Sequence, residues 1–243
     1  MTTYNNFSIS SGKGKLYLKS KTAQEGYEKV TYGTNGENVT YHKYADSIKG
    51  TPKTFEVKEI QYEGKTLKFM ELGLVDGDVS NKVSVPLKNT KGGYTDEARA
   101  LLSALFNMDL GEEVTLSTRV STTTGKNGKE YKNLNIYINY VDRLGENGKG
   151  LSTGFIPYNE IPAPIEKIVA GDKTWDWSPQ TEFFYEKLQE VQAKFQSAPQ
   201  PTTQASTPKA GTPKNAVPTA TPAEAFEPAT DFKPEEHDDL PFA

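Results

Sequence analysis

The chain has 243 residues, a formal net charge of −4 and no cysteine; 35% of it is hydrophobic and 25% charged. That length fits one large domain or two small ones, and the low apolar share predicts that part of the chain does not pack into a core. The missing cysteines exclude a disulfide scaffold, a thiolate zinc site and a thiol nucleophile, and fit a reducing compartment. The opening MTTYNNFSIS has no apolar core behind a basic start. No stretch approaches the roughly 18 apolar residues that a membrane span needs, so a cytoplasmic location is expected.

Taken in chain order, the body reads mostly as strands. Residues 14–21 alternate, with Leu16 and Leu18 on one face and Lys15, Tyr17, Lys19 and Lys21 on the other, the period of a half-buried strand. A Gly/Asn-rich turn at 33–38 leads into the aromatic run Tyr41, His42, Tyr44. Residues 54–62 and 65–75 flank Glu63-Gly64 as a hairpin. Residues 81–87 form a further strand, which Pro86 marks as an edge.

Thr95 then suits a helix N-cap, with Asp96 and Glu97 at the positive end of the dipole. Ala98, Leu101, Leu102 and Leu105 make one apolar stripe, and Gly111 ends the segment. Two strands follow. In 114–121 the inward row is Val114, Leu116, Thr118 and Val120. In 131–141 it is Leu134, Ile136, Ile138 and Tyr140. The link between these strands carries the Asn-Gly signal of a hairpin. Residues 145–174 read as irregular. Ser178-Pro179 reads as an N-cap and first turn, opening a helix with the stripe Phe184, Leu188, Val191 and Phe195.

The fold class is therefore mainly β. Three long strands, a helix and two strands follow the element order of an OB-fold antiparallel barrel, with the helix between strands three and four. Any small antiparallel barrel or sandwich carrying a helix shares that order. The expected divisions are a barrel over 1–144, an irregular extension over 145–197 ending in an amphipathic helix, and a tail over 198–243.

The tail holds 9 of the 15 prolines, and its only aliphatic side chains larger than Ala are Val217 and Leu240. It cannot bury enough apolar surface to offset its ordering entropy, so disorder is expected. Seven acids against three lysines give it the whole net charge of −4 and leave 1–197 neutral. Residues 1–21 carry Lys13, Lys15, Lys19 and Lys21 and no acid. A locally basic body joined to an acidic tail suggests contact with nucleic acid.

With the apolar rows inward, the outward rows carry lysines and amides interleaved with aromatic rings. Cations can follow phosphates while flat rings stack on unpaired bases. The candidate single-stranded DNA contacts are Lys15, Tyr17, Lys19, Lys21, Tyr41, Tyr44, Phe69, Arg119, Lys126, Lys129, Tyr131, Lys132 and Tyr137. Thr115, Ser117, Asn133, Asn135 and Asn139 share those rows, and Phe69 lies between Leu67 and Glu71 on the face opposite Met70, Leu72 and Leu74. Enzymatic signals are weak. His42 and His237 are the two histidines, and no convergent ligand set is visible. Gly12-Lys13-Gly14-Lys15 lacks the spacing and the Ser/Thr of a phosphate-binding loop. No catalysis, cofactor or metal is expected.

The chain closes with Glu235-Glu236-His237-Asp238-Asp239-Leu240-Pro241-Phe242-Ala243. Acids beside one apolar anchor have the form of a docking peptide: the ring fills a pocket and the acids meet a basic rim. This tip resembles that of bacterial and bacteriophage single-stranded DNA-binding proteins, an acidic run closed by Ile/Leu-Pro-Phe. The resemblance implies an OB barrel that coats single-stranded DNA in replication, recombination and repair. It also implies a tip, here Asp238, Asp239, Leu240, Pro241 and Phe242, that recruits partner proteins. Ala243 after Phe242 and the long segments 33–50 and 145–197 depart from the family pattern and point to a divergent, phage-type member. A homo-oligomer is compatible with all of this. Two further readings stay open: a protein-interaction adaptor with an OB-like barrel, and an RNA-binding barrel.

A tethered acidic tail competes with DNA phosphates at high effective concentration. Deleting 198–243 should therefore raise affinity for single-stranded DNA, most clearly at low salt. The same deletion should abolish partner capture, and Phe242→Ala alone should remove most of it. Titration of a labelled oligonucleotide beside a pull-down separates the two roles.

Overall fold

The computed structural model describes residues 2–32, 36–62, 64–89, 92–125, 128–169 and 172–198. The tail tip and Lys126 lie outside them. Seven strands precede the first helix: β1 (Thr3–Ser10), β2 (Lys15–Ser20), β3 (Glu28–Tyr32), β4 (Asn38–Ala45), β5 (Ser47–Tyr62), β6 (Lys65–Asp76) and β7 (Val79–Pro86). Helix α1 (Asp96–Phe106) follows, then β8 (Val114–Thr124), β9 (Glu130–Leu144) and β10 (Gly150–Ser152). A 3-10 turn (Tyr158–Glu160), the hairpin β11 (Ile165–Val169) and β12 (Asp172–Asp176), and helix α2 (Ser178–Ser197) complete the described chain.

The chain is mainly β, as its periodicity predicts, but the sheet is not a closed barrel. Ten strands run in the order β10-β9-β8-β5-β6-β7-β1-β2-β4-β3. The sheet is mixed: β1 lies parallel to β7, and the other ladders are antiparallel. The ladder to β8 uses residues 47–50 of β5, whereas the ladder to β6 uses residues 51–62. The two ladders scarcely overlap along β5, so the sheet folds back on itself there. The far side is drawn in at the β1–β2 turn, where Thr118 Oγ1 donates to the Gly14 carbonyl at 2.8 Å. Gly14 has φ +62, and a Cβ there would lie 2.6 Å from the Val120 nitrogen. Only glycine lets β2 approach β8 this closely.

The core fills the inside of this fold. Leu16, Met70, Leu72, Leu74, Val83, Val85, Val114, Leu116 and Ile136 are fully buried, and α1 adds Ala98, Leu101, Leu102 and Leu105. Thr95 caps α1 as its sequence predicts. Its hydroxyl accepts from Ala98 N at 3.1 Å and donates to the Pro86 carbonyl at 2.6 Å, which ties the helix to the end of β7.

Several expectations need correction. β1 and β3 carry too short an apolar pattern to be predicted from the sequence: in β1 the buried or partly buried apolar side chains are confined to Phe7 and Ile9, and β3 has one aliphatic residue. β7 is not an edge, since β6 and β1 flank it. Pro86 is tolerated because the pairing with β1 ends at Val83, so its missing N–H costs that ladder nothing. Residues 145–174 are not wholly irregular. They hold β10, the 3-10 turn and the β11–β12 hairpin, whose isolated pairing carries no core-facing row for a sequence pattern to show. Helix α2 includes Ser178 rather than being capped by it. Trp177 is the N-cap, and the Asp176 carboxylate accepts from Ser178 N at 3.0 Å.

The α2 stripe packs within the same chain. Phe184, Leu188, Val191 and Phe195 are buried. The Phe195 ring lies 5.6 Å from Phe55 of β5, and Phe184 lies 6.0 Å from Tyr94. The last turn of α1 has no basic residue of its own. Lys194 of α2 supplies one, donating to the Phe106 carbonyl at 3.1 Å, where a cation suits the negative helix end. Burial pushes the Lys194 ammonium below its ordinary value. Lys187 lies 4.2 Å over the Phe106 ring.

Truncating a packed aromatic ring leaves a cavity, so Phe195→Ala should lower stability by about 3–5 kcal/mol. Urea unfolding of the two proteins checks this. An unchanged midpoint would mean that α2 does not hold the fold.

Candidate nucleic-acid interface

Side chains directly opposite across a ladder share a face. Tyr17 opposes Tyr44 and Lys19 opposes His42, whereas Leu16 and Leu18 share the opposite, core-side row. Tyr17, Lys19, His42 and Tyr44 therefore stand together on the outer face of β2 and β4. The Tyr17 and His42 rings stack at 4.2 Å and 19°, and Tyr44 meets His42 edge-on at 5.9 Å. Lys13, in the β1–β2 turn, lies 4.0 Å over the Tyr44 ring and 3.3 Å from Glu28. The Tyr44 hydroxyl and then Glu28 hold its ammonium above the ordinary value. Lys19 lies 5.5 Å over the Tyr32 ring, and Lys15 pairs with Asp46 at 3.1 Å.

A second cluster lies on the same face of β8 and β9. Arg119 pairs with Asn135 and Ser117 with Tyr137 across the ladder, while Ser47 of β5 opposes Ser117. Asp46 separates Tyr44 of β4 from Ser47 of β5, and Lys15 of the first cluster pairs with that Asp46. Phe155 meets the Tyr137 ring edge-on at 5.6 Å and is 42% exposed. Its segment is fixed by Thr153, whose N–H donates to the Ile138 carbonyl and whose hydroxyl donates to the Ala104 carbonyl. Arg119 is exposed and makes no ion pair among the described residues. Further along, Lys49, Thr115, Asn139, Tyr140, Val141 and Gly150 line an open groove of about 340 Å³.

The outer face of β5, β6 and β7 differs in charge. Glu71, only 12% exposed, pairs with Lys58 and Lys82, each at 2.9 Å, and Glu56 pairs with Lys58 at 3.4 Å. Two acids and two ammonium groups neutralise one another in place. Burial raises the Glu71 pKa, but hydrogen bonds from Lys58 and Lys82 outweigh it and hold the carboxyl below its ordinary value of 4.5.

The structure thus groups Lys15, Tyr17, Lys19 and Tyr44 on the outward row of β2 and β4, and Arg119 and Tyr137 on the outward row of β8 and β9. Lys21 follows directly after β2, and Lys129 is exposed beyond the β8–β9 turn. Four assignments are corrected. Tyr41 opposes Ser20 and so lies on the core-side row, away from His42 and Tyr44. Tyr131 is in the outer row but buried, with the Lys129 ammonium 5.7 Å from its ring centre, so it is not an open stacking surface. Lys132 shares the row of Leu134 and Ile136 and points to the other face. Phe69 is half-buried opposite Lys58, on the side of the neutralised quartet.

Lys13, Tyr32 and Phe155 join these clusters although they are not among the candidate contacts, and His42 sits at the centre of the first. Lys13 and Tyr32 had signals, a Gly-Lys repeat and the alternation of residues 28–32. Phe155 had none, because it arrives from a segment without periodicity.

No protein-family model, curated protein or solved structure matches the chain. Among the described residues, no helix is long and apolar enough to cross a membrane, and no group of three or more acids and histidines could hold a metal ion.

A carboxyl with a lowered pKa lends stability that is present above the ordinary carboxylate range and lost as pH falls through the folded value. The stability of the wild type should therefore fall more steeply below pH ~4 than that of Glu71→Gln, read from urea midpoints across pH 7 to 3.

Proposed function

We propose that this chain binds single-stranded DNA without sequence preference across the outer face of β2–β4 and β8–β9. The observation that carries the reading is the crowding of Tyr17, His42 and Tyr44 with Lys13, Lys15 and Lys19 on one surface, with Arg119, Tyr137 and Phe155 forming a second cluster on β8 and β9. Rings on such a surface offer about 1–3 kcal/mol per stacked base. The competing ion pairs are weak. Lys13–Glu28 and Lys15–Asp46 are all at least 47% exposed, and exposed pairs contribute about 0–1 kcal/mol. Phosphates can displace them at little cost. The quartet around the partly buried Glu71 does not exchange so readily, so β5–β7 stay outside the path.

An OB-type ancestry fits the same strands. The order β5, β6, β7, α1, β8, β9 is that of an OB barrel, with the helix between the third and fourth strands. Its ladders β5–β6, β6–β7, β5–β8 and β8–β9 are four joints of a five-stranded ring. The fifth joint is replaced by the inserted β1–β4 unit, which pairs β1 with β7 and sets the β1–β2 turn against β8. On this reading the acidic tip at Asp238–Phe242 recruits replication, recombination and repair proteins, and the tail competes with DNA for the basic face.

Affinity for oligo(dT) should exceed that for matched duplex DNA, with a log–log salt slope of about −0.7 per phosphate neutralised. Tyr17→Ala and Tyr137→Ala should each weaken binding by about 1–3 kcal/mol, with smaller effects on stability. Filter binding with oligo(dT), matched RNA and duplex checks this. Equal affinity for duplex, or a flat salt dependence, would remove the reading.

A further inference from the structure

His42 stands out within the outer face because it is the most enclosed ring of its cluster. It is 7% exposed, while Tyr17 and Tyr44 beside it remain partly exposed. Its ring lies flat against Tyr17 at 4.2 Å, and its Nδ1 is 3.4 Å from the Tyr44 hydroxyl. Across the ladders it opposes Lys19 of β2 and Glu28 of β3, and Lys13 reaches over Tyr44 from the turn. One side chain thus packs against both tyrosines, stacked flat on Tyr17 and edge-to-face with Tyr44. A tyrosine on a strand surface otherwise moves among staggered rotamers, and ordering it on binding lowers affinity.

We propose that His42 is a positioning residue: it backs Tyr17 and Tyr44, fixing the angle at which they meet unpaired bases, and does not itself touch nucleic acid. This rests on the reading of the outer face as a single-stranded DNA interface. A buried ring flanked by two lysines and one acid contributes no phosphate contact of its own, so its effect must pass through the rings it holds. A flat apolar ring of similar size should replace it, whereas a shape without a face should not.

The test is a fluorescence-anisotropy titration of labelled oligo(dT) against the full chain, corrected to folded protein by thermal melting. His42→Ala should weaken binding about five- to tenfold, the cost of ordering the released rings, with the salt slope unchanged. His42→Phe should stay within about twofold of wild type. In a Tyr17→Ala, Tyr44→Ala background, His42→Ala should change affinity less than about twofold, because the residues it acts through are gone. If His42→Ala does not fold at the assay temperature, His42→Leu takes its place. Persistence of the full loss in the double-tyrosine background would overturn the proposal in favour of direct contact. So would a slope smaller by about 0.7, which marks a lost phosphate. Wild-type affinity in the Leu or Ala variant, or a Phe variant as weak as Ala, would also overturn it. Failure of the wild type itself to bind oligo(dT) would instead overturn the interface reading, and the proposal with it.

Discussion

The architecture depends on a change of partner along one strand. β5 spends residues 47–50 on β8 and residues 51–62 on β6. Gly50 sits at the change, where a Cβ would press within 3.0 Å of the Val75 backbone. Backbone groups buried inside a protein must be paired. Two ladders that barely overlap satisfy β5 while letting the sheet turn a corner. That corner brings β8 and β9 over β6 and β7, so that Val114, Leu116 and Ile136 share a core with Leu72, Leu74 and Val83.

Charge divides the outer face into two kinds of surface. Around Glu71, four ionised groups are close, partly buried and mutually satisfied. Each lysine there is shared with a partly buried acid, so drawing it away weakens the compensation of that charge and the arrangement resists exchange. Around Tyr44 and Tyr17 the lysines lie over rings or beside exposed acids, where water screens each pair. The same residue types thus give a closed surface in one place and an adaptable one in the other, and burial of the acid makes the difference.

Helix α2 links the C-terminal extension to the sheet in two ways. Its apolar stripe covers α1 and Phe55, and its lysines act on α1 directly, Lys194 at a terminal carbonyl and Lys187 over Phe106. A helix end without its own cation is completed by another helix. Helix α2 is for this reason part of the folded body, and the segment after β10 delivers Phe155 to the Tyr137 ring.

Much of the local structure was legible in the residues themselves. The Thr95 cap, the α1 stripe, the α2 stripe and the inward rows of β8 and β9 all follow from period and capping chemistry, which are properties of neighbours in sequence. The aromatic and basic character of β2 and β4 was legible too. The parity of Tyr41 against Tyr44 was not, because a run of aromatics on both faces hides the alternation. The burial of Tyr131, the neutralisation of Lys58 and Lys82, and the meeting of Tyr137 with Phe155 depend on which strands become neighbours. So does the open, ten-stranded sheet in place of a five-stranded barrel: β1 pairs with β7 across more than seventy residues, and no local pattern encodes such a pairing. The sequence by itself determined which residues turn inward on elements with a single apolar face, such as α1, α2, β8 and β9. Tertiary structure alone decided which outward rows lie side by side, because that is set by long-range backbone hydrogen bonding and by how far the sheet folds at Gly50.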